Sequence, residues 1–385
     1  MKVLHICLAA FYIDNFSYQE NLLPKFHKKN GYDVEILASL VTFDSNGEMS
    51  LLPSCSSYKN EDDIKVTRLN YKKSFKSDVL RKYEGTYDEI VLSEPDIIFI
   101  HGCQFSDMES IVRYKKKRPD IRIYVDNHAD FSNSATNWLS KNILHKIIWK
   151  SSAKKILPYT EQFYGVLPAR VEFLKEIYKV PDQKVSLLVM GSDDEFIKKY
   201  KENQNHSKEL KEKLNIPKED FVIISGGKID HAKRQIFNLI EAVKTINNVK
   251  LVIFGSVVKD MEEEFLELVK HPNVIYVGWI NNEETYQYLS VADLAVYPGR
   301  HSVYWEQTAG MGIPMVVKYW EGTTHIDVGG NCKFLYQNNS NEIRSRIIEL
   351  LDDREKYEEM LIVANGKGKS KFSYFNIAKK SLNLY

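Results

Sequence analysis

No uninterrupted apolar run in this sequence approaches the roughly 20 residues that a helix needs to cross a bilayer. The opening, Met1-Lys2 followed by VLHICLAA, resembles a first core strand; polar residues follow soon after, without the cleavage pattern of a secretory leader. Cysteine is scarce. Cys7, Cys55, Cys103 and Cys332 are widely dispersed, which argues against a disulfide framework and for reduced thiols in a cytosolic protein. No ligand cluster with metal-binding spacing stands out, so no metal is expected, and Asp193-Asp194 reads as a solvated pair at a domain junction. Excess charge is missing too: Lys+Arg 53 against Asp+Glu 52 leaves a formal net charge of +1, which gives no reason to expect a nucleic-acid partner. The turn after the first strand, LAAFYIDNF, contains no glycine. A dinucleotide-dependent oxidoreductase would carry G-x-G-x-x-G there, so that chemistry is disfavoured.

What is present is a chain of 385 residues, 43% hydrophobic and 27% charged, long enough for two packed domains. Strand-like and helix-like stretches alternate throughout. In the first half, strands are expected at Val3–Leu8, Val34–Leu40, Ile64–Leu69, Ile97–His101 and Ile121–Val125. Further along, Lys155–Pro158 and Val185–Met190 continue the series. Between them, Ser17-Tyr18-Gln19-Glu20 has the spacing of a capping box opening a helix to Lys28, kinked at Pro24. Ser77–Leu92, Met108–Lys117, Trp138–Trp149 and Val171–Tyr178 are expected to be mostly helical, and the Ser-rich stretch 41–62 an irregular excursion. The second half repeats the alternation with strands at Phe221–Ser225, Lys250–Phe254, Val274–Val277, Leu294–Tyr297 and Pro314–Val317. Strands separated by helices imply parallel sheets with right-handed crossovers.

Two segments of the second half carry chemistry. From Val296 to Val317 the chain reads VYPGRHSVYWEQTAGMGIPMVV: strand, short loop, helix, strand, with Glu306 in the first turns of the helix. Ligands of doubly wound sheets sit beyond the carboxyl ends of strands, and a loop entering a helix there offers backbone N–H groups to an anion. Glu306 can accept hydrogen bonds from sugar hydroxyls or simply complement the helix dipole. The second segment is the strand FVIIS, then Gly226-Gly227-Lys228, then Lys233-Arg234 and an amphipathic helix. Lysines on such a loop suit a diphosphate whose charge grows as it leaves, although a solvated basic loop is the alternative.

GGKIDHAKRQ followed downstream by WEQTAGMGIPMVV resembles the nucleotide-sugar half of retaining GT-B glycosyltransferases, the large family that includes glycogen synthases and bacterial polysaccharide transferases. The resemblance implies an α/β, GT-B architecture, two Rossmann-like domains facing across a cleft. An acceptor-binding domain would occupy residues 1–191 and a donor-binding domain 192–372, with a final helix over 373–385 packing back on the first. It implies that Lys228 and Lys233 hold the donor diphosphate and that Glu306 binds the donor ribose. The family has another glutamate eight residues earlier, where this chain has Pro298; Arg300, His301 or Ser302 are candidates to substitute, with backbone N–H groups around His301 to Val303 and the turn at Gly227 completing the donor site. Trp279 and Ile280 are candidates to frame the nucleobase, against a purely packing role for Trp279. No cofactor beyond the nucleotide-diphosphate sugar is implied. The acceptor proton can pass to the leaving phosphate, so no protein general base is assigned.

In the first half the resemblance rests on fewer residues. A histidine at a strand end lies close to the transferred sugar in this family, and His128, in DNHADF, is the better match; a structural histidine is the alternative. Phe11, Tyr12, Glu20 and His101 are the acceptor candidates, in the turn LAAFYIDNF, the helix after it and a later strand end. The expected activity is transfer of a sugar to a glycan or polyprenyl-linked acceptor in cell-surface polysaccharide synthesis. Two alternatives stay open: a nucleotide-sugar epimerase on the same fold, and an inactive scaffold subunit. Trp138–Lys155 interleaves Trp, Leu and Ile with Lys, which suits either packing on the sheet or peripheral contact with the inner face of a membrane.

Overall fold

The computed structural model describes residues 1–9, 11–44, 49–74, 76–201 and 203–383. The chain divides into two compact units, Met1–Val189 together with the residues from Ile377 onward, and Met190–Asn376.

The first unit is built from β1 (Lys2–Cys7), β2 (Asp33–Ser39), β3 (Val41–Phe43), β4 (Met49–Leu51), β5 (Ser57–Lys59), β6 (Lys65–Leu69), β7 (Ile97–His101), β8 (Arg122–Asn127), β9 (Gln162–Gly165) and β10 (Val185–Leu187). Its main sheet has the order β10-β9-β8-β7-β1-β2-β6-β5. Only the edge pair β5–β6 is antiparallel; β3 and β4 form a separate antiparallel pair. Central strands covered on both faces must be apolar along their length, and β7 (IIFIH) is buried at every position. The second unit is contiguous. Strands β11 (Phe221–Gly226), β12 (Val249–Phe254), β13 (Val274–Tyr276), β14 (Leu294–Tyr297), β15 (Met315–Lys318) and β16 (Cys332–Leu335) form an all-parallel sheet in the order β13-β12-β11-β14-β15-β16.

Several local expectations are corrected. Within 41–62 the chain forms β3, β4 and β5; residues 45–48 lie outside the described residues, as does Ala10 in the first turn. Ser77–Leu92 is helical only from Thr86, because Arg81 and Gly85 take left-handed backbone angles and break the run. Lys155–Pro158 is not a strand. The buried face of the helix Lys150–Ile156 continues through Ala153 and Ile156, and the strand comes later, as β9. The capping box at Ser17–Glu20 does not form: the helix Gln19–Lys29 starts without a side-chain cap, and Glu20 is used elsewhere. Asp193 and Asp194 are not a solvated pair. Asp193 is buried and accepts from the Glu195 N–H, while Asp194 accepts from Ser373 Oγ and the Phe375 N–H.

Candidate functional site

In the second unit, the ends of the adjacent strands β11 and β14 converge on one side chain. β11 turns at Gly227, whose φ of +111° suits glycine alone. A Cβ there would lie 3.0 Å from Lys233 Nζ and 3.3 Å from the Tyr304 ring. A Cβ on Gly299, just past β14, would lie 3.1 to 3.2 Å from Cα, Cβ and Cγ of Lys233. The lysine therefore runs between two strand ends that leave room for it because both present glycine. Arg300, Ser302, Tyr297 and Trp305 line the same small pocket. Desolvation lowers the Lys233 pKa, Asp230 opposes this, and Arg300 adds to the lowering. The result is a partly buried cation with a second positive group nearby, a setting that attracts a desolvated anion. Lys228 is placed differently. It is exposed, one residue before Ile229 joins Val257 in a β-bridge, and does not line the pocket.

Glu306, expected to bind the donor ribose, is already engaged by protein groups. It lies in the helix Tyr304–Gly310 and is fully buried. Its Oε1 sits 2.8 Å from His301 Nε2 and 2.9 Å from His325 Nε2, and Oε2 is buried without a hydrogen bond. Burial alone would raise its pKa; the two imidazoles overcome this and hold it at about 2. His301 is thus a partner of Glu306, and Val303 is the residue flanking the helix start. Trp279 stands 72% exposed after β13, whereas Ile280 is buried, which leaves Trp279 the accessible member of the expected base-framing pair.

The first unit holds a cavity of about 550 Å³ lined by Phe11, Glu20, Arg81, His128, His145 and Trp149 among others. Behind it lies a buried polar row that the sequence did not announce. Asp126, at the end of β8, accepts at Oδ2 from Gln19 Nε2 at 3.0 Å and from His101 Nδ1 at 2.8 Å. His101 Nε2 lies 3.0 Å from His5 Nδ1, and His5 Nε2 lies 2.9 Å from His27 Nδ1. His27 Nε2 ends the row at Ser381 Oγ, 2.8 Å away. A carboxylate can only accept, so His101 donates from Nδ1, and the tautomers of the remaining rings are coupled in series. His128 Nε2 lies 3.2 Å from Asp126 Oδ1 and 3.5 Å from Glu20 Oε1. Desolvation would lower the His128 pKa, but Asp126 and Glu20 raise it above the ordinary value; Asp126 is held far below the carboxylate range despite burial, by His101 and His128.

Two acceptor candidates are corrected here. Tyr12 is fully buried, its hydroxyl accepting from Asn60 Nδ2 and its ring under the Arg68 guanidinium. His101 is fully buried inside the row and does not line the cavity. Phe11 and Glu20 do. The expectation that no ligand groups cluster also changes, because Glu20, His101 and His128 offer ligand atoms within 4.8 Å of one another. As arranged, both nitrogens of His101 are already engaged by His5 and Asp126. Arg81, His145 and Trp149 were missed: they come from a turn and a helix with no local motif.

Residues 206–365 match the family described as glycosyl transferases group 1. The matched segment lies within the second unit. An uncharacterized glycosyltransferase of Methanocaldococcus jannaschii is 26% identical over 227 residues, which are 54% of this chain and 55% of that protein, so the match spans about half of either. Among solved structures, the Anabaena protein HepE in complex with UDP and glucose has a TM-score of 0.62 at 14% identity, covering 100% of this chain and 98% of its own. UDP-GlcNAc 2-epimerase from Neisseria meningitidis bound to UDP-GlcNAc has a TM-score of 0.64 at 14% identity, covering 100% of both chains. At such identities the likeness is one of fold. The chain has the GT-B fold, and each of its two units is a Rossmann-like α/β unit.

Proposed function

We propose that this protein transfers a hexose or related sugar from a nucleotide-diphosphate donor to a glycan or polyprenyl-linked acceptor, with retention of configuration, in the synthesis of cell-surface polysaccharide. The observation that carries this reading is Lys233 held between Gly227 and Gly299 beside Arg300. As the bond between the anomeric carbon and the diphosphate oxygen breaks, negative charge grows on the leaving group, and cations already fixed in place stabilise it without reorganisation. The acceptor oxygen bonds to the anomeric carbon, and its proton leaves with the nucleoside diphosphate. Positive charge at the diphosphate then comes from the protein, so the reaction runs without a metal ion. His128 acts at the transferred sugar, and Trp279 stacks on the base. Neighbours of the same fold form complexes with UDP and with a UDP-sugar, which favours a uridine donor. No helix of the described residues is long and apolar enough to cross a membrane. The exposed Trp138, Leu139 and Ile147, on a segment bearing Lys141, Lys146 and Lys150, suit peripheral contact with an anionic membrane surface in the cytoplasm.

A thermal-shift panel of UDP, GDP, ADP and CDP identifies the nucleotide, because a ligand that binds the folded state raises its stability. Labelled nucleotide sugar then reports the reaction. Transfer or hydrolysis supports the proposal. Conversion to an epimer supports the second reading, which the likeness to a UDP-GlcNAc 2-epimerase over both full chains keeps specific. Binding without turnover would identify a scaffold, and no nucleotide binding at all would sink both enzymatic readings. Sedimentation with anionic and neutral vesicles tests the membrane surface; binding that ignores lipid charge and salt would overturn it.

A further inference from the structure

Arg81 is a cation in the wall of the first unit's cavity with no ion pair among the described residues. The break in helix before Thr86 sets its side chain there: Arg81 has φ +49°, and its carbonyl accepts from the Ser106 N–H. Its Nη1 donates to the carbonyls of Ala9 at 2.6 Å and Gln104 at 3.1 Å. The guanidinium lies over the Phe11 ring at 5.6 Å and the Trp149 ring at 6.0 Å. Nε and Nη2 make no hydrogen bond to the described residues. The carboxylate of this cavity, Glu20, is at ion-pair distance from His128. The neighbouring His145 feels the unbalanced charge: burial first, then Arg81, lower its pKa to about 4. A guanidinium held largely out of water by apolar rings is costly unless an anion completes it, and its planar fork matches a phosphate at two donors.

We propose that Arg81 binds a phosphate or diphosphate group of the molecule that enters this cavity, making the acceptor a phosphorylated one. Calling the ligand an acceptor rests on the proposed glycosyl transfer; the anion site itself does not. Phe11 and Trp149 would cover the apolar flank of the ligand while Arg81 takes its charge. The same chemistry has two sources, a soluble sugar phosphate or a prenyl diphosphate.

The test uses the full-length protein and phenylglyoxal, which modifies accessible arginines, with Arg81 followed by peptide mass spectrometry. Glucose 6-phosphate or farnesyl diphosphate should slow modification of Arg81 at least tenfold, while glucose and farnesol should not. Whichever of the two protects names the source. Equilibrium binding of the protecting compound should weaken at least tenfold in Arg81→Gln, recover in part in Arg81→Lys, and persist in Lys233→Ala. Protection by neither compound overturns the proposal, as does binding lost in Lys233→Ala but kept in Arg81→Gln, since the anion would then sit in the second domain. The mass readout needs no variant, so a misfolded Arg81→Gln would not rescue the idea. If nucleotides fail to bind but Arg81 is protected, the transferase reading falls and the anion site stands.

Discussion

Lys233 and Glu306 look alike in sequence, each a charged residue beside a glycine-bearing turn, and the structure gives them opposite exposures to ligand. Lys233→Ala should weaken nucleotide binding by about 2 kcal/mol, the range of a charge-assisted hydrogen bond, without lowering the melting temperature. Calorimetric titration with the nucleotide that scores in the thermal-shift panel checks this; unchanged affinity would remove the donor-site assignment. Glu306→Gln should instead act on stability. It takes the carboxylate from between His301 and His325 in a fully buried site, at a cost of roughly 2 to 4 kcal/mol, read as a lower urea midpoint. A variant of wild-type stability with weakened nucleotide binding would support the ribose role instead. The lysine was legible because a glycine turn at Gly227 and a cation six residues beyond it are neighbours along the chain. The glutamate was not, since its environment depends on His325, 19 residues further on, in a turn without any motif.

Among elements, the parallel strands β1, β7 and β8 each contribute to the polar row at matched depth: His5 pairs in register with Phe99, and His101 with Asp126. Nothing local announces this. His5, His27, His101 and Asp126 come from four elements, and each alone reads as a lone polar residue at a strand end or on a helix. The apolar strands themselves were legible, since runs such as IIFIH and LAVY have few other fates. The short β9 and β16 were not, because their polar residues mask the pattern. Burial holds His27 near pKa 3, well below the ordinary imidazole value, and lowers His5 in the same direction. Groups with depressed folded pKa values bind protons more readily when unfolded, so their contribution is full above pH ~6.5 and is lost as pH falls towards about 3. His128, whose pKa is raised, works in the opposite direction, so the variant comparison matters. Between pH 7 and pH 5 the stability change attributable to His27 should be about 2 kcal/mol. Urea unfolding of the wild type and His27→Gln at the two pH values measures it; equal pH dependence in both proteins would refute a neutral, buried His27.

At the scale of the molecule, the first unit borrows its last pieces from the far end of the chain. Ile377, Ala378 and Leu382 are buried in it, Ser381 meets His27, and the Leu382 carbonyl accepts from the Tyr124 hydroxyl. Removing the residues after Asn376 should destabilise that unit by about 4 kcal/mol or more from the two large apolar side chains alone. Limited proteolysis followed by mass spectrometry should then show early cuts within residues 1–189, with 190–376 resistant; even resistance across both units would contradict this. Chains are made from the amino end, and domains commonly fold in that order. Here the order is inverted. The contiguous second unit has all its strands as soon as β16 leaves the ribosome, while the first, synthesised earlier, must wait for Ser381 to cap its histidine row, and until then His27 has no partner at Nε2.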